Sequence, residues 1–149
     1  MWGSVMRKTV YETNYDRAVK LGFIVDGEIR EYGKSKAGGY MDLVVERLTH
    51  LDNFNSEGTQ AFSIAHYFEQ NGDLCQDPEM VLFFHPESKM IEAYSFQQAL
   101  PPVYRVVFPE SGKVFPGIKK QQNSFLRQWL NNLIDQNHGK QWENLNEAA

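Results

Sequence analysis

One cysteine, Cys75, stands in 149 residues, so no disulfide can form within the chain, and a reducing compartment is compatible. No apolar run approaches the roughly 20 residues that span a bilayer. The opening, Met1 to Lys8, lacks the long apolar stretch of a signal peptide. These absences lead to the expectation of a cytoplasmic protein. Complete catalytic motifs are missing as well: there is no Gly-x-Ser-x-Gly, no His-Glu-x-x-His and no Cys-x-x-Cys. Gly33-Lys34-Ser35 has the ending of a phosphate-binding loop, but the glycine that must precede it falls at Glu28, so the motif fails.

What is present is enough apolar material for one domain, 42% hydrophobic and 13% aromatic. The net charge of −4 is unevenly spread. Residues 61–101 hold six acids and one base, a net −5, whereas 102–141 hold two acids and six bases, a net +4. The acidic block argues against direct wrapping of a nucleic-acid backbone, which needs clustered cations. The basic block reads first as the solvated face of a helix.

The pattern predicts an α+β domain over residues 1–141 with a loosely ordered tail at 142–149. Thr13-Asn14-Tyr15-Asp16 has the form of a helix start, giving a short helix from Asn14 to Leu21 stopped by Gly22. Asp26-Gly27 marks a small hairpin, and 33–39 is loop-like by composition. Four to five antiparallel strands follow. Met41, Leu43 and Val45 alternate with Asp42, Val44 and Glu46, and Phe62, Ile64, His66 and Phe68 alternate with Ser63, Ala65, Tyr67 and Glu69. Met80–Phe84, Met90–Phe96 and Val103–Phe108 supply the rest. A C-terminal helix begins at Pro116, carries Phe125, Trp129 and Leu133 on one stripe widened by Leu126, Leu130 and Ile134, and stops at Gly139.

His66, Asp73, Cys75, Asp77 and Glu79 crowd one short stretch and are metal-ligand types, so one divalent ion, zinc or magnesium, is an alternative to no cofactor. If the strands pair around residue 74, His66 and His85 sit about three residues apart, roughly 10 Å, too far to share one tetrahedral ion. The competing reading is a polar turn, with Asp77-Pro78 starting a strand. Asp77 with Glu87-Ser88-Lys89 copies a nuclease metal motif, but its middle residue is serine in an expected turn. Cys75 with His66 as base lacks a third orienting residue.

The segments Gly39–Glu46, Ser63–Asp73 and Asp77–Met80, with the motif His66-Tyr67-x-x-Gln70-Asn71-Gly72-Asp73…Asp77-Pro78-Glu79-Met80, resemble an uncharacterised domain family of plasmids, integrative elements and phages of Gram-positive gut bacteria. Asn123–Leu133 is similar to its closing helix. The resemblance covers most of 39–139 and implies a mobile-element setting without an activity. It leads to the expectation of a non-enzymatic accessory protein that binds and inhibits a bacterial defence nuclease, of the anti-CRISPR or anti-restriction kind. Asp73, Asp77, Glu79, Glu69 and Tyr67 are then the partner-binding residues. A metal-dependent enzyme acting on nucleic acid, and a regulatory partner of the element's own replication proteins, are the alternatives.

Overall fold

A computed structural model describes residues 7–70, 73–99 and 101–145, with side chains for all of these except 68–70 and 73–77. Among its described residues the chain is α+β, with two α-helices, a two-stranded hairpin and one antiparallel sheet of seven strands rather than the expected four to five.

Helix α1 spans Val10–Leu21, one turn longer at its start than the sequence predicts. Thr9 and Glu12 form the same signature as Thr13 and Asp16, four residues upstream. The longer glutamate closes a reciprocal box: the Thr9 hydroxyl accepts the Glu12 N–H at 3.2 Å, and Glu12 accepts the Thr9 N–H at 2.9 Å. Thr13 instead donates to the Val10 carbonyl inside the helix. Gly22 ends α1 in the left-handed conformation, as expected.

The hairpin β1 (Ile24–Val25) and β2 (Glu28–Ile29) turns at Asp26-Gly27. The large sheet contains β3 (Tyr32–Ser35), β4 (Leu43–Arg47), β5 (Gln60–Gln70), β6 (Asp73–His85), β7 (Met90–Gln98), β8 (Val103–Val106) and β9 (Trp142–Asn144). Its order is β8-β7-β6-β5-β4-β3-β9, so chain neighbours are sheet neighbours except at β9, which closes the far edge.

Two strands were not expected. Tyr32–Ser35 falls largely in the predicted loop, and Trp142–Asn144 falls in the predicted tail. β9 is held from outside its own sequence. The Trp142 indole N–H donates to the Leu21 carbonyl at 3.2 Å, and the Arg30 guanidinium lies 4.2 Å from the ring centre.

The expected polar turn at 73–79 is also corrected, because β6 already runs from Asp73, pairing Gln70 with Asp73 and Phe68 with Cys75. Pro78 is tolerated because the register shifts there, from Ala65↔Glu79 to Tyr67↔Gln76. A bulge leaves a residue out of the ladder, and proline has no N–H to contribute to one.

Helix α2 spans Pro116–Asp135, with Pro116 in its first turn. Its end is set by Asn137 in the left-handed conformation rather than by Gly139, and His138 N–H returns to the Leu133 carbonyl. Gly139 is required for another reason: a Cβ there would lie 2.5 Å from the Leu21 carbonyl oxygen. Leu126, Trp129, Leu130 and Leu133 join Leu43, Val45, Phe62, Ile64, Met80, Leu82 and Ile91 in one apolar cluster with Ala18 and Leu21 of α1. Asn123 links helix to sheet. A second register shift leaves Tyr94 outside the β6–β7 ladder, and the Asn123 carbonyl oxygen accepts the adjacent Ala93 N–H at 2.8 Å.

Candidate functional site

Residues directly opposite one another in a sheet project to the same side. Lys34 faces Val44, Val44 faces Ala65, Ala65 faces Glu79, Glu79 faces Gln97 and Gln97 faces Tyr104. A second row runs Tyr32, Glu46, Ser63, Val81, Ser95, Val106. Both rows lie on the side away from the cluster that holds α2. Val44, Ser63, Ala65 and Ser95 are themselves buried in these rows, and Tyr104 is exposed at one edge.

Tyr104 is 62% exposed on this surface. At the opposite end, Tyr32, Lys34, Asp42, Val44, Tyr67 and Leu145 line a depression of about 470 Å³. Two expected partner-binding residues, Tyr67 and Glu79, therefore belong to one face. Glu69, Asp73 and Asp77 are in β5 and β6, but their side chains lie outside the described residues.

The same face is closed at its other end by aromatic packing. Phe83 is fully buried in a second cluster with Ala61, Val107 and Phe108, packed by Leu48, Leu51, Phe54, Tyr94 and Ile118. Its ring lies 4.8 Å from Tyr94 and 5.7 Å from Phe54. Phe84 is buried in the first cluster, and Phe96 packs against that cluster with Phe125. The 51–59 segment, rich in turn residues, acts as a lid here. Arg47 donates to both Asp52 oxygens at 2.7 and 2.8 Å, and His85 hydrogen-bonds Thr59 at 3.3 Å and Glu92 at 2.5 Å.

His66, the central member of the expected metal set, is placed differently from the prediction. Its Nε2 accepts the Trp129 indole N–H at 3.3 Å, so its Nδ1 carries the proton and donates to the Asp42 carbonyl at 3.1 Å. Both ring nitrogens are engaged. His85 lies at the other end of β6, one residue past the Gln60↔Phe84 pair, much farther from His66 than the assumed register gave.

The neighbour of His66 is instead His138, with ring centres 5.9 Å apart. His138 Nδ1 is 3.0 Å from the Ser35 hydroxyl, which accepts the Gly139 N–H at 2.9 Å. The Ser35 hydroxyl thus bridges the His138 ring and the Gly139 N–H, and the His138 Nε2 is buried. Ser35 and His138 were not singled out by sequence, since 103 residues separate them and neither belongs to a local motif. Among the described residues no three His, Cys, Asp or Glu side chains converge to hold a metal. The nuclease triplet does not assemble along the chain either: Glu87 and Lys89 sit in the β6–β7 turn, and Asp77 lies eight residues before His85, roughly 25 Å at the usual strand rise.

A domain family of unknown function, DUF6908, matches residues 16–139, most of the chain. The chain belongs to DUF6908. The match begins well before Gly39, where the resemblance noted in the sequence starts, and so includes the second half of α1 and the small hairpin. No curated protein and no solved structure matches it. No helix among its described residues is long and apolar enough to cross a membrane.

The histidine pair gives this DUF6908 domain a defined response to acid. Burial pushes both imidazoles below their ordinary value; for His138 the nearby His66 adds to this, and for His66 the Asp42 carbonyl and carboxylate oppose it. The unfolded chain therefore takes up protons first as pH falls through about 6.5, and stability falls with it until the folded-state values are reached. Melting temperatures should hold steady at higher pH and drop as pH is lowered through that window. The drop should be shallower in His138→Gln than in the wild type. An unchanged melting temperature from neutral to mildly acidic pH would contradict the pair's burial as neutral rings.

Proposed function

We propose that this DUF6908 chain is a non-enzymatic accessory protein of a mobile element that binds a bacterial defence nuclease and inhibits it. The observation that carries the binding part is the second sheet face, with the strongly exposed Tyr104 at one edge and, at the other, the depression lined by Tyr32, Lys34, Asp42, Val44 and Tyr67. Tyrosines are among the residues most enriched as anchors of protein interfaces. The charge of the 61–101 block supports the choice of partner, because nucleic-acid-handling enzymes present basic surfaces to which a net −5 is complementary. The mobile-element setting implied by the resemblance supplies the biological reason. A net charge of only −4 over the chain favours a patch-sized contact over mimicry of a whole DNA duplex.

The test is co-purification with CRISPR effectors and restriction enzymes of plausible hosts, followed by DNA-cleavage assays at several salt concentrations. A stoichiometric complex that blocks cleavage, and weakens as salt rises, is the expected result. Binding to none of them, with phage and plasmid survival unchanged on expression, would remove the inhibitor reading and leave the element's replication proteins as the partner. A stoichiometric divalent metal in the purified protein, with DNA cleavage of its own, would favour the metal-dependent enzyme instead.

A further inference from the structure

A separate concavity lies where α1 begins beside the first half of α2. Its volume is about 540 Å³, within the range of small-ligand sites, and its walls include Val10, Tyr11 and Val114. The α2 wall is formed by Lys120, Asn123, Ser124 and Arg127, spaced so that they share one helical stripe, with Lys119 beside them. Three cations therefore converge on one cavity whose lining contains no acid. Ion pairs Lys8–Asp16, Lys36–Glu143, Arg47–Asp52 and Lys113–Glu110 lie elsewhere, and none involves Lys119, Lys120 or Arg127. Gathering like charges with no carboxylate among them is unfavourable, and an anion in the cavity would relieve it.

The cavity continues into a smaller one of about 240 Å³, with Tyr11 and Lys119 common to both. There the floor is Met90, and His85 and Glu92 form a hydrogen-bonded polar edge. The Lys119 ammonium stands 5.5 Å from the centre of the Tyr11 ring, which places charge and an aromatic surface at the junction. Val114 is also 42% exposed, leaving an apolar lip on the larger cavity. The combination is a cationic compartment joined through an aromatic ring to a small compartment with an acceptor carboxylate.

We propose that this groove binds a nucleotide-sized organic phosphate. The phosphate lies among Lys119, Lys120 and Arg127, and a flat, amino-bearing ring lies against Tyr11 and Met90 within reach of Glu92. Charge complementarity selects the phosphate, and the smaller compartment selects a ring over a long chain. The groove is built by α1, α2 and the β6–β7 hairpin end, so it is independent of the tyrosine face proposed to bind protein.

Calorimetric titration of the full chain with ribonucleoside monophosphates, adenosine and inorganic phosphate tests it. Monophosphates should bind saturably, adenosine and inorganic phosphate at least tenfold more weakly, and added salt should reduce the monophosphate affinity. The combined variant Lys119→Gln/Lys120→Gln/Arg127→Gln should lose at least tenfold, and Tyr11→Ala should lose affinity with its melting temperature followed in parallel. Lys113→Gln, which removes an exposed charge outside the groove, should bind as the wild type does. No saturable binding of any monophosphate, equal binding by the triple variant, or binding of oligonucleotides alone would each overturn the proposal.

Discussion

Trp129→Ala should lower stability by about 3–5 kcal/mol, the cost of emptying a large aromatic site in a packed core. The ring is 7% exposed, stacks near Phe125 at 6.0 Å and His66 at 5.6 Å, and lies in the cluster that joins α2 to the sheet. Its indole N–H is also the donor that fixes the His66 tautomer, so truncation leaves an imidazole nitrogen without its partner as well as a void. Trp129→Phe separates the two contributions. It keeps much of the bulk while losing the N–H and part of the ring, and should cost less than Trp129→Ala. Urea unfolding followed by circular dichroism reads both. A midpoint for Trp129→Ala within error of the wild type would mean that α2 does not rest on the sheet through this stripe.

Phe83→Ala should be comparably damaging, again about 3–5 kcal/mol, although it lies on the opposite side of the sheet. Phe83 is the centre of an aromatic group that includes Phe54, Tyr94 and Phe108, and it holds the 51–59 segment and the strand exit at Val107–Phe108 against β5, β6 and β7. Phe54→Ala, at the rim of the same group, should cost less, because its ring is only partly buried. A Phe83→Ala protein as stable as the wild type would show that this second cluster is dispensable, and would extend the open sheet face over its whole length.

The parts of the fold that were legible from sequence are those written in local periodicity. Phe125, Trp129 and Leu133 repeat at helical spacing and do form the buried stripe of α2 together with their neighbours. Phe62, Ile64 and His66 alternate and do face one way. What was not legible depends on residues distant in the chain. Tyr32-Gly33-Lys34-Ser35 has no strand composition, and becomes β3 because β4 offers one edge and β9 the other. Gln70 pairs with Asp73, so the β5–β6 hairpin is centred ahead of residue 74, and the assumed register misplaces His66 relative to His85.

The candidate site was legible in the same proportion. Tyr67 and Glu79 were named and do share a face, since period two in paired strands settles that much. Tyr32 and Tyr104 completed the face only once β3 and β8 were placed. Alternation places Phe83 on the side away from the first core but cannot show that a turn-rich segment covers it. The histidine pair needed the end of α2 to fold back on β3 before His138 met Ser35 and His66.

The central claim, binding through the tyrosine-bordered face, is tested most directly by the affinity of Tyr67→Ala/Tyr104→Ala for the effector captured by the wild-type chain. Both positions are on the face, and Tyr104 is exposed enough that its loss should leave the fold intact. The account predicts at least a tenfold loss of affinity, about 1.4 kcal/mol or more, with little change in melting temperature, and wild-type affinity for Lys119→Gln/Lys120→Gln/Arg127→Gln. Full affinity in the double tyrosine variant, with loss in the lysine and arginine variant, would contradict it and move the contact to the groove on α2.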